Sequence, residues 1–429
     1  MKFNFCSFLL FFTCTAIQAQ ELLSSDSAVS IALKKNYDIL VATNDADIAR
    51  INNTAGNAGM LPNLAVNASD NYAVNTINQE VTTGSPSPDT KSNSINAGVE
   101  LNWTLFDGGK MFVTKNKLNE IQSLGKIEFK DKVLQTVYDV IVAYYDVVRQ
   151  KQQLASIDEV INSNEERVKI LKTSFDAGLT AKTNLLQAQI DLNVYKELAI
   201  NQQAAIIASK RNLNQLLSRD ANIGFEVPDT IPLNYIPDEK ELSQKLFSNN
   251  TSVLSLQKQV DIAGSSLKEY KTMLLPKLSV YGGYNFMETD NTAGTLLMNQ
   301  IKGPQFGGTI SIPLYQSGNV HRQIQSAKIQ LQSTEFNLEN IKIQVNTELQ
   351  NTLTDYENQK ELLEIEKSNT ALAKENLDIS MERLRYGQTT SLEIHQAQES
   401  YVGSVTRLIN FEYNLKVAET KIKQLLALL

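Results

Sequence analysis

Leu61-Pro62-Asn63-Leu64-Ala65-Val66 recurs as Leu275-Pro276-Lys277-Leu278-Ser279-Val280, 214 residues further on. Asp47-Ile48-Ala49 recurs as Asp261-Ile262-Ala263, and Asn71-Tyr72 as Asn285-Phe286, at the same offset. Further along the offset is 209. Leu105-Phe106 matches Leu314-Tyr315, Gly178 and Thr180 match Gly387 and Thr389, and Gln187-Ala188-Gln189 matches Gln396-Ala397-Gln398. Self-similarity of this kind fixes the architecture before any single element is assigned. The chain is two copies of one unit, and the five-residue change of offset places a length-tolerant loop between Tyr72 and Leu105.

The duplicated segment opens a strand in each unit. Leu64, Val66, Ala68, Tyr72 and Val74 alternate with Ala65, Asn67, Ser69, Asn71 and Ala73, Asp70 being the one charge on the apolar side. Ile95, Ala97, Val99, Leu101, Trp103 and Leu105 alternate with polar or small neighbours. In the second unit Leu278, Val280, Tyr284 and Phe286 form one series, and Phe306, Ile310, Ile312 and Leu314 the other. Period-two alternation gives a sheet one apolar and one polar face. That suits a soluble half-buried sheet, or strands with lipid on one side and water on the other. No second sheet is available to cover the apolar face, which favours the barrel. Four strands cannot close a barrel, so closure requires copies of the chain to share it. The polar stretches Thr76 to Ser94 and Met287 to Pro304 then read as loops beyond the membrane, and Trp103 as an interfacial aromatic.

Between the strands lie unusually long helical patterns. Lys110 to Ser174 contains no proline and one glycine, and Asn319 to Arg385 contains neither. Unbroken, each spans about 100 Å. Leu134, Val137, Ile141, Tyr144 and Val148, then Ile157, Ile161, Val168, Leu171 and Phe175, show coiled-coil spacing. Asp107-Gly108-Gly109-Lys110 turns strand into helix, and Gly178 and Gly387 end the long helices, a returning helix following each. The reading is a leader over 1–19; a first unit over 20–219 with β-hairpin 62–105 and helical hairpin 108–219; a proline-rich connection over 220–238; and a second unit over 239–429 with β-hairpin 276–314 and helical hairpin 317–427.

Composition narrows the function. The 429 residues include two histidines and two cysteines, too few for most metal or Cys/His chemistry. His321 and His395 each read as isolated surface residues. Lys2, the apolar run Phe8 to Phe12 and the small residues at Ala16 to Ala19 make a secretory signal, and both Cys6 and Cys14 fall inside it. Its removal takes the net charge from −7 to −8, which argues against nucleic acid. No catalytic residue, metal or cofactor is expected.

The layout resembles the TolC-like outer-membrane efflux proteins. The duplicated unit, both Leu-Pro strand starts, Phe106-Asp107-Gly108-Gly109 and the two turns, Phe175 to Thr180 and Arg383 to Thr389, carry the resemblance. It implies a homotrimer with a twelve-stranded barrel in outer-membrane lipid and a twelve-helix tunnel in the periplasm. Such a duct is passive and gated. It docks a periplasmic adaptor, the membrane fusion protein, and through it an inner-membrane RND, ABC or MFS pump. The resemblance assigns adaptor docking to Gly178, Leu179, Thr180, Gly387, Gln388 and Thr389. A gate beside the turns carries over in part: Glu393 keeps one acid, whereas Gln396 and Asn184 replace two others and Leu384 stands where the resemblance expects a tyrosine. Arg383, Arg385, Tyr386 and Glu393 are the gate candidates. Two alternatives stand beside efflux: a type I protein-secretion duct, and a secreted coiled-coil stalk or adhesin.

Overall fold

The structure is a computed structural model that describes residues 22–76, 90–292 and 296–429. The signal segment and the centre of the first hairpin loop lie outside the described residues. Each unit contributes two short helices, a β-hairpin and a helical hairpin. The first has α1 (Ser25–Lys35), α2 (Tyr37–Asn52), β1 (Asn63–Asn75), β2 (Thr90–Asp107), α3 (Lys110–Asp176) and α4 (Lys182–Leu216). The second has α5 (Glu239–Asn249), α6 (Thr251–Thr272), β3 (Lys277–Asn291), β4 (Met298–Ser311), α7 (Asn319–Arg385) and α8 (Ser391–Leu425).

The repeat reaches single side chains. Asn36 ends α1 and caps α2, its Oδ1 accepting from the amides of Asp38 and Ile39, while its Nδ2 donates to the Leu216 carbonyl at 2.8 Å. Asn250 does the same between α5 and α6, its Nδ2 donating to the Leu425 carbonyl at 2.9 Å. An asparagine cap satisfies otherwise orphaned amides, and here it also pins the short helices to the far end of each helical hairpin.

The strands form one antiparallel sheet in the order β1-β2-β3-β4, so β2 and β3 join the two units. Register sets the apolar residues of all four strands on one face. Leu64 aligns with Leu101, Gly282 and Phe306; Val66 with Val99, Tyr284 and Pro304; Ala68 with Ala97, Phe286 and Lys302. The next apolar-side row is Asp70, Ile95, Glu288 and Gln300. Asp70 is therefore not an interruption but the margin of the band.

Three details of the strands differ from the sequence reading. Pairing continues through Thr90 to Ser94, through Met287 to Asn291 and through Met298 to Pro304. Polar residues read as loop are thus ladder, because backbone pairing is indifferent to the apolar count that the reading used. A bulge between Thr104 and Phe106 takes Leu105 out of register and aligns Phe106 with Leu278. The fourth strand stops at Ser311, leaving Ile312 and Leu314 outside it, next to Pro313, which has no amide to donate.

Both long helices run 67 residues without a break. In the half of the molecule away from the sheet, α4 packs on α3, α3 on α8, and α8 on α7. The connection over 220–238 is anchored to the core at three points: Phe225, Val227 and Ile231 are buried with Leu23, Val140, Tyr144 and Val148. A second core forms around Leu246, Leu349 and Ile422, and a third around Leu171, Leu377 and Ile394 near the turns.

Candidate functional site

The end of the molecule opposite the sheet is made by the two turns. Each closes with the same hydrogen-bond pattern. The Leu179 amide donates to Ser174 O and the Gly178 amide to Phe175 O, both at 2.8 Å; Gln388 donates to Arg383 O at 2.8 Å and Gly387 to Leu384 O at 3.0 Å. These are Schellman-type ends. Gly178 (φ 76°) and Gly387 (φ 66°) take the left-handed conformation that this pattern requires, and a Cβ at either meets no atom within 4 Å. The turn tips are thus open, and Leu179 is 81% exposed.

Behind the first turn, Thr180 Oγ1 accepts from Asn184 Nδ2 at 3.0 Å. Behind the second, Thr390 caps α8 by accepting from the Glu393 amide at 3.2 Å. Thr389 donates to the Glu393 carboxylate, Arg383 Nη2 donates to Gln388 O at 2.8 Å, and Arg383 Nη1 lies 3.7 Å from Glu393. The four gate candidates are therefore not one cluster. Arg383 and Glu393 brace the second turn. Arg385 reaches away to Glu166 on α3 as well as to Glu382, and Tyr386 is 75% exposed.

About three turns of helix back from the tips lies a polar centre that the sequence reading missed. Arg167 is fully buried. Its Nη1 donates to Asp191 Oδ2 at 2.9 Å and Gln398 Oε1 at 3.2 Å, and its Nη2 to Ser391 Oγ at 2.6 Å and Ser391 O at 3.2 Å. Helices α3, α4 and α8 meet on this one guanidinium. Burial pulls the Arg167 pKa below the ordinary arginine value, with Asp191 pulling the other way. His395 is not isolated: its Nδ1 lies 3.4 Å from Asp191 and its Nε2 3.4 Å from Glu399. Above this centre, Glu159 pairs with Lys374 and accepts from Tyr401 at 2.8 Å.

The miss has a physical cause. The buried line of α3 here is Val160, Asn164, Arg167 and Leu171, whereas Ile157, Ile161 and Val168 are half-buried and Phe175 is 36% exposed. An apolar-only stripe search steps over a polar pair at core spacing. The 4-3-4 interval of Val160, Asn164, Arg167 and Leu171 was the available signal.

Among the described residues no helix is long and apolar enough to cross a membrane, and no group of ligands is arranged to hold a metal. The sequence matches the family described as outer membrane efflux protein over residues 28–219 and 242–428. It is similar to the outer membrane efflux protein BepC of Brucella suis, 23% identical over 329 residues that span 75% of this chain and 69% of BepC. It is also similar to the alkaline protease secretion protein AprF of Pseudomonas aeruginosa, 21% identical over 72% of this chain and 65% of AprF. Among solved structures, the Campylobacter jejuni CmeC outer membrane channel matches 94% of this chain and 85% of its own, with a TM-score of 0.79 and 18% identity.

Proposed function

This chain belongs to the outer membrane efflux protein family, and from that premise we propose that three copies close a passive duct through the outer membrane. The family membership leaves no room for the secreted-stalk alternative. The observation that carries the three-copy reading is a pair of unfinished edges on opposite flanks. Among the described residues β1 and β4 have no strand on their outer sides, and in lipid each unpaired backbone group costs several kcal/mol. The helices are unfinished in the same sense. On α4, Leu186, Ile190, Val194 and Leu198 are 43–55% exposed; on α7, Ile365, Leu372 and Ile379 are 52–62% exposed. Leu186 stands eight residues after Gly178, and Ile379 eight residues before Gly387. The two stripes therefore lie at matching heights, and α4 of one copy fits α7 of the next. Three copies give twelve strands and twelve helices.

The apolar band of the sheet supports the membrane placement. From the row of Phe106 and Leu278 to that of Ala97 and Phe286 it covers ten residues of β2. At ~3.3 Å per residue and a tilt of ~40°, that is about 25 Å of hydrocarbon. The opposite face, with Asn67, Ser69, Asn96 and Asn285, lines the water-filled side. The helical hairpins then descend into the periplasm, and their turn tips, Gly178-Leu179-Thr180 and Gly387-Gln388-Thr389, dock a periplasmic adaptor that joins the duct to an inner-membrane RND, ABC or MFS pump. The domain boundaries given by the sequence follow this division of labour. The duct performs no catalysis and binds no cofactor.

Cross-linking in mild detergent is expected to give a three-chain species; a soluble monomer with full β content in the absence of detergent overturns the reading. For the docking role, Gly178→Trp with Gly387→Trp is expected to abolish export and adaptor capture while the trimer stays in the membrane. An equally bulky change at the exposed Asn162 serves as the control. Similarity to AprF supports protein secretion as the cargo alternative. Identification of the co-purified adaptor and pump distinguishes the two.

A further inference from the structure

The sheet face opposite the apolar band carries a recess near its middle, about 260 Å³ in volume. Polar side chains from all four strands surround it: Asn67 and Ser69 on β1, Asn96 and Glu100 on β2, Asn285 on β3 and Gln305 on β4. The row through its centre is Asn67, Gly98, Asn285 and Gly303; the next row sets Glu100 beside Gly283 and in line with Gln305. Three glycines in two adjoining rows leave the floor bare. Among the described residues, none of the six polar side chains makes a hydrogen bond or ion pair. Glu100 is also the one charge that the described residues place on this face short of the end row of Asp107 and Lys277. The duplication does not account for the recess. At the 209-residue offset Gly98 corresponds to Gly307 and Glu100 to Thr309. Gly307 is roofed, since a Cβ there would stand 2.5 Å from Tyr281 Oη, a ring laid over a sheet glycine. A Cβ at Gly303 meets nothing within 4 Å. One half of the sheet thus has an open hollow with an acid, and the other a covered glycine with a threonine.

We propose that this recess binds small organic cations that carry N–H donors, a guanidinium or a primary ammonium group, as they pass along the duct. This rests on the reading above that the face lines the water-filled side. Glu100 supplies the charge. Its neighbours Val99 and Leu101 lie on the lipid side of the same strand, so the carboxylate stands against a low-dielectric wall, where its field is less screened than on an open surface. Asn67, Asn96, Asn285 and Gln305 supply carbonyl acceptors at the rim, and Ser69 a hydroxyl oxygen. A guanidinium can engage both carboxylate oxygens through two parallel N–H bonds and keep further N–H groups for the amide oxygens. The rim amides do not open the site to anions, which Glu100 repels. The volume lies below the range usual for drug-sized ligands, so the recess takes a head group and leaves the rest of the molecule in the lumen.

Binding of butylguanidinium to the detergent-purified assembly, read by saturation-transfer NMR, tests this directly. Tetramethylammonium is the control, an ion of the same charge without N–H donors. Butylguanidinium is expected to bind saturably, and tetramethylammonium about tenfold or more weaker. Glu100→Gln keeps the shape and removes the charge, and should weaken butylguanidinium binding about tenfold or more. Gly303→Leu puts a side chain into the open space of the centre row and should block binding while the assembly forms as before. Equal binding of the two ions, or undiminished binding by either variant, overturns the inference. The face is tested separately, in a chain whose own two cysteines lie in the segment read as removed. In lipid vesicles Glu100→Cys is expected to react with a membrane-impermeant maleimide and Val99→Cys is not. The reverse pattern means that the water-filled side is misassigned, and the inference falls with that reading. Reaction at Glu100→Cys without butylguanidinium binding to the parent overturns the inference alone.

Discussion

Arg167 and Asp191 face each other at 2.9 Å in a place where the arginine side chain is 0% exposed and the carboxylate 5%. The two helices, joined in sequence by the Gly178 turn, are tied there eleven residues before and thirteen after the glycine. Removing one member of a buried pair leaves the other charge uncompensated. Asp191→Ala is expected to destabilise by about 3–5 kcal/mol, read as a lower thermal midpoint in detergent. Arg167→Met with Asp191→Leu should recover most of that loss, since neither charge is then buried alone. A silent Asp191→Ala would mean that water reaches the guanidinium.

Gly108 and Gly109 adjoin at the passage from β2 into α3, and both take positive φ, 76° and 84°. Their surroundings differ. A Cβ on Gly108 would stand 2.6 Å from Leu275 Cβ and from the Thr272 carbonyl oxygen, whereas one on Gly109 meets nothing within 4 Å. Gly109→Ala should cost only conformational strain, about 1–2 kcal/mol. Gly108→Ala adds a collision with the α6–β3 corner, typically a further ~1–3 kcal/mol, and should reduce the assembled protein recovered from membranes. Equal effects of the two changes would place the cost in φ alone.

At the turns the cost is conformational only, because neither glycine has a close neighbour. Gly178→Asn is expected to fold nearly as well as the parent, since asparagine visits the left-handed region, and Gly178→Val is not. Amide hydrogen exchange at Gly178 and Leu179 measures this directly: faster exchange in the valine variant, little change in the asparagine variant. Fast exchange in both would mean that the Schellman bonds do not persist in solution.

Glu159 makes the upper tie acid-sensitive. Burial raises its pKa, but the hydrogen bonds from Lys374 and Tyr401 outweigh burial and hold it below the ordinary glutamate value. A carboxylate depressed in the folded state contributes stability above its unfolded pKa and loses it as pH falls through the folded one. The thermal midpoints of the parent and of Glu159→Gln should therefore differ at neutral pH and converge in the acid range. Because Glu159 is 48% exposed, water screens the effect and it should be small. A gap that stays constant with pH would assign the difference to packing. For the phenol of Tyr401, burial and then Glu159 raise the pKa, so it remains a donor across that range.

Much of this fold was legible because its signals are local. A missing proline is visible in sequence, as is a glycine where a helix must reverse, and a period of two is visible in a strand. Asp70 illustrates the limit. Along β1 it looks like a fault in the apolar face; only its row with Ile95, Glu288 and Gln300 identifies it as an edge. Strand length was underestimated for a related reason, since ladder hydrogen bonds form between polar residues as readily as between apolar ones.

The sequence by itself determined the duplication, the run from β-hairpin to helical hairpin in each unit, the two long helices and both turns, because each depends on neighbours within a few residues or on comparison of the chain with itself. The tertiary structure decided what depends on which helix lies beside which. It brought Arg167 to Asp191, Ser391 and Gln398, residues 24, 224 and 231 positions away, and it turned Arg385 to Glu166 rather than to the turn. It also buried Phe225, Val227 and Ile231 of the proline-rich connection. Charge pairing in a core is set by distance in space, and the one-dimensional pattern of α3 registers Arg167 only as a polar residue where an apolar one was due.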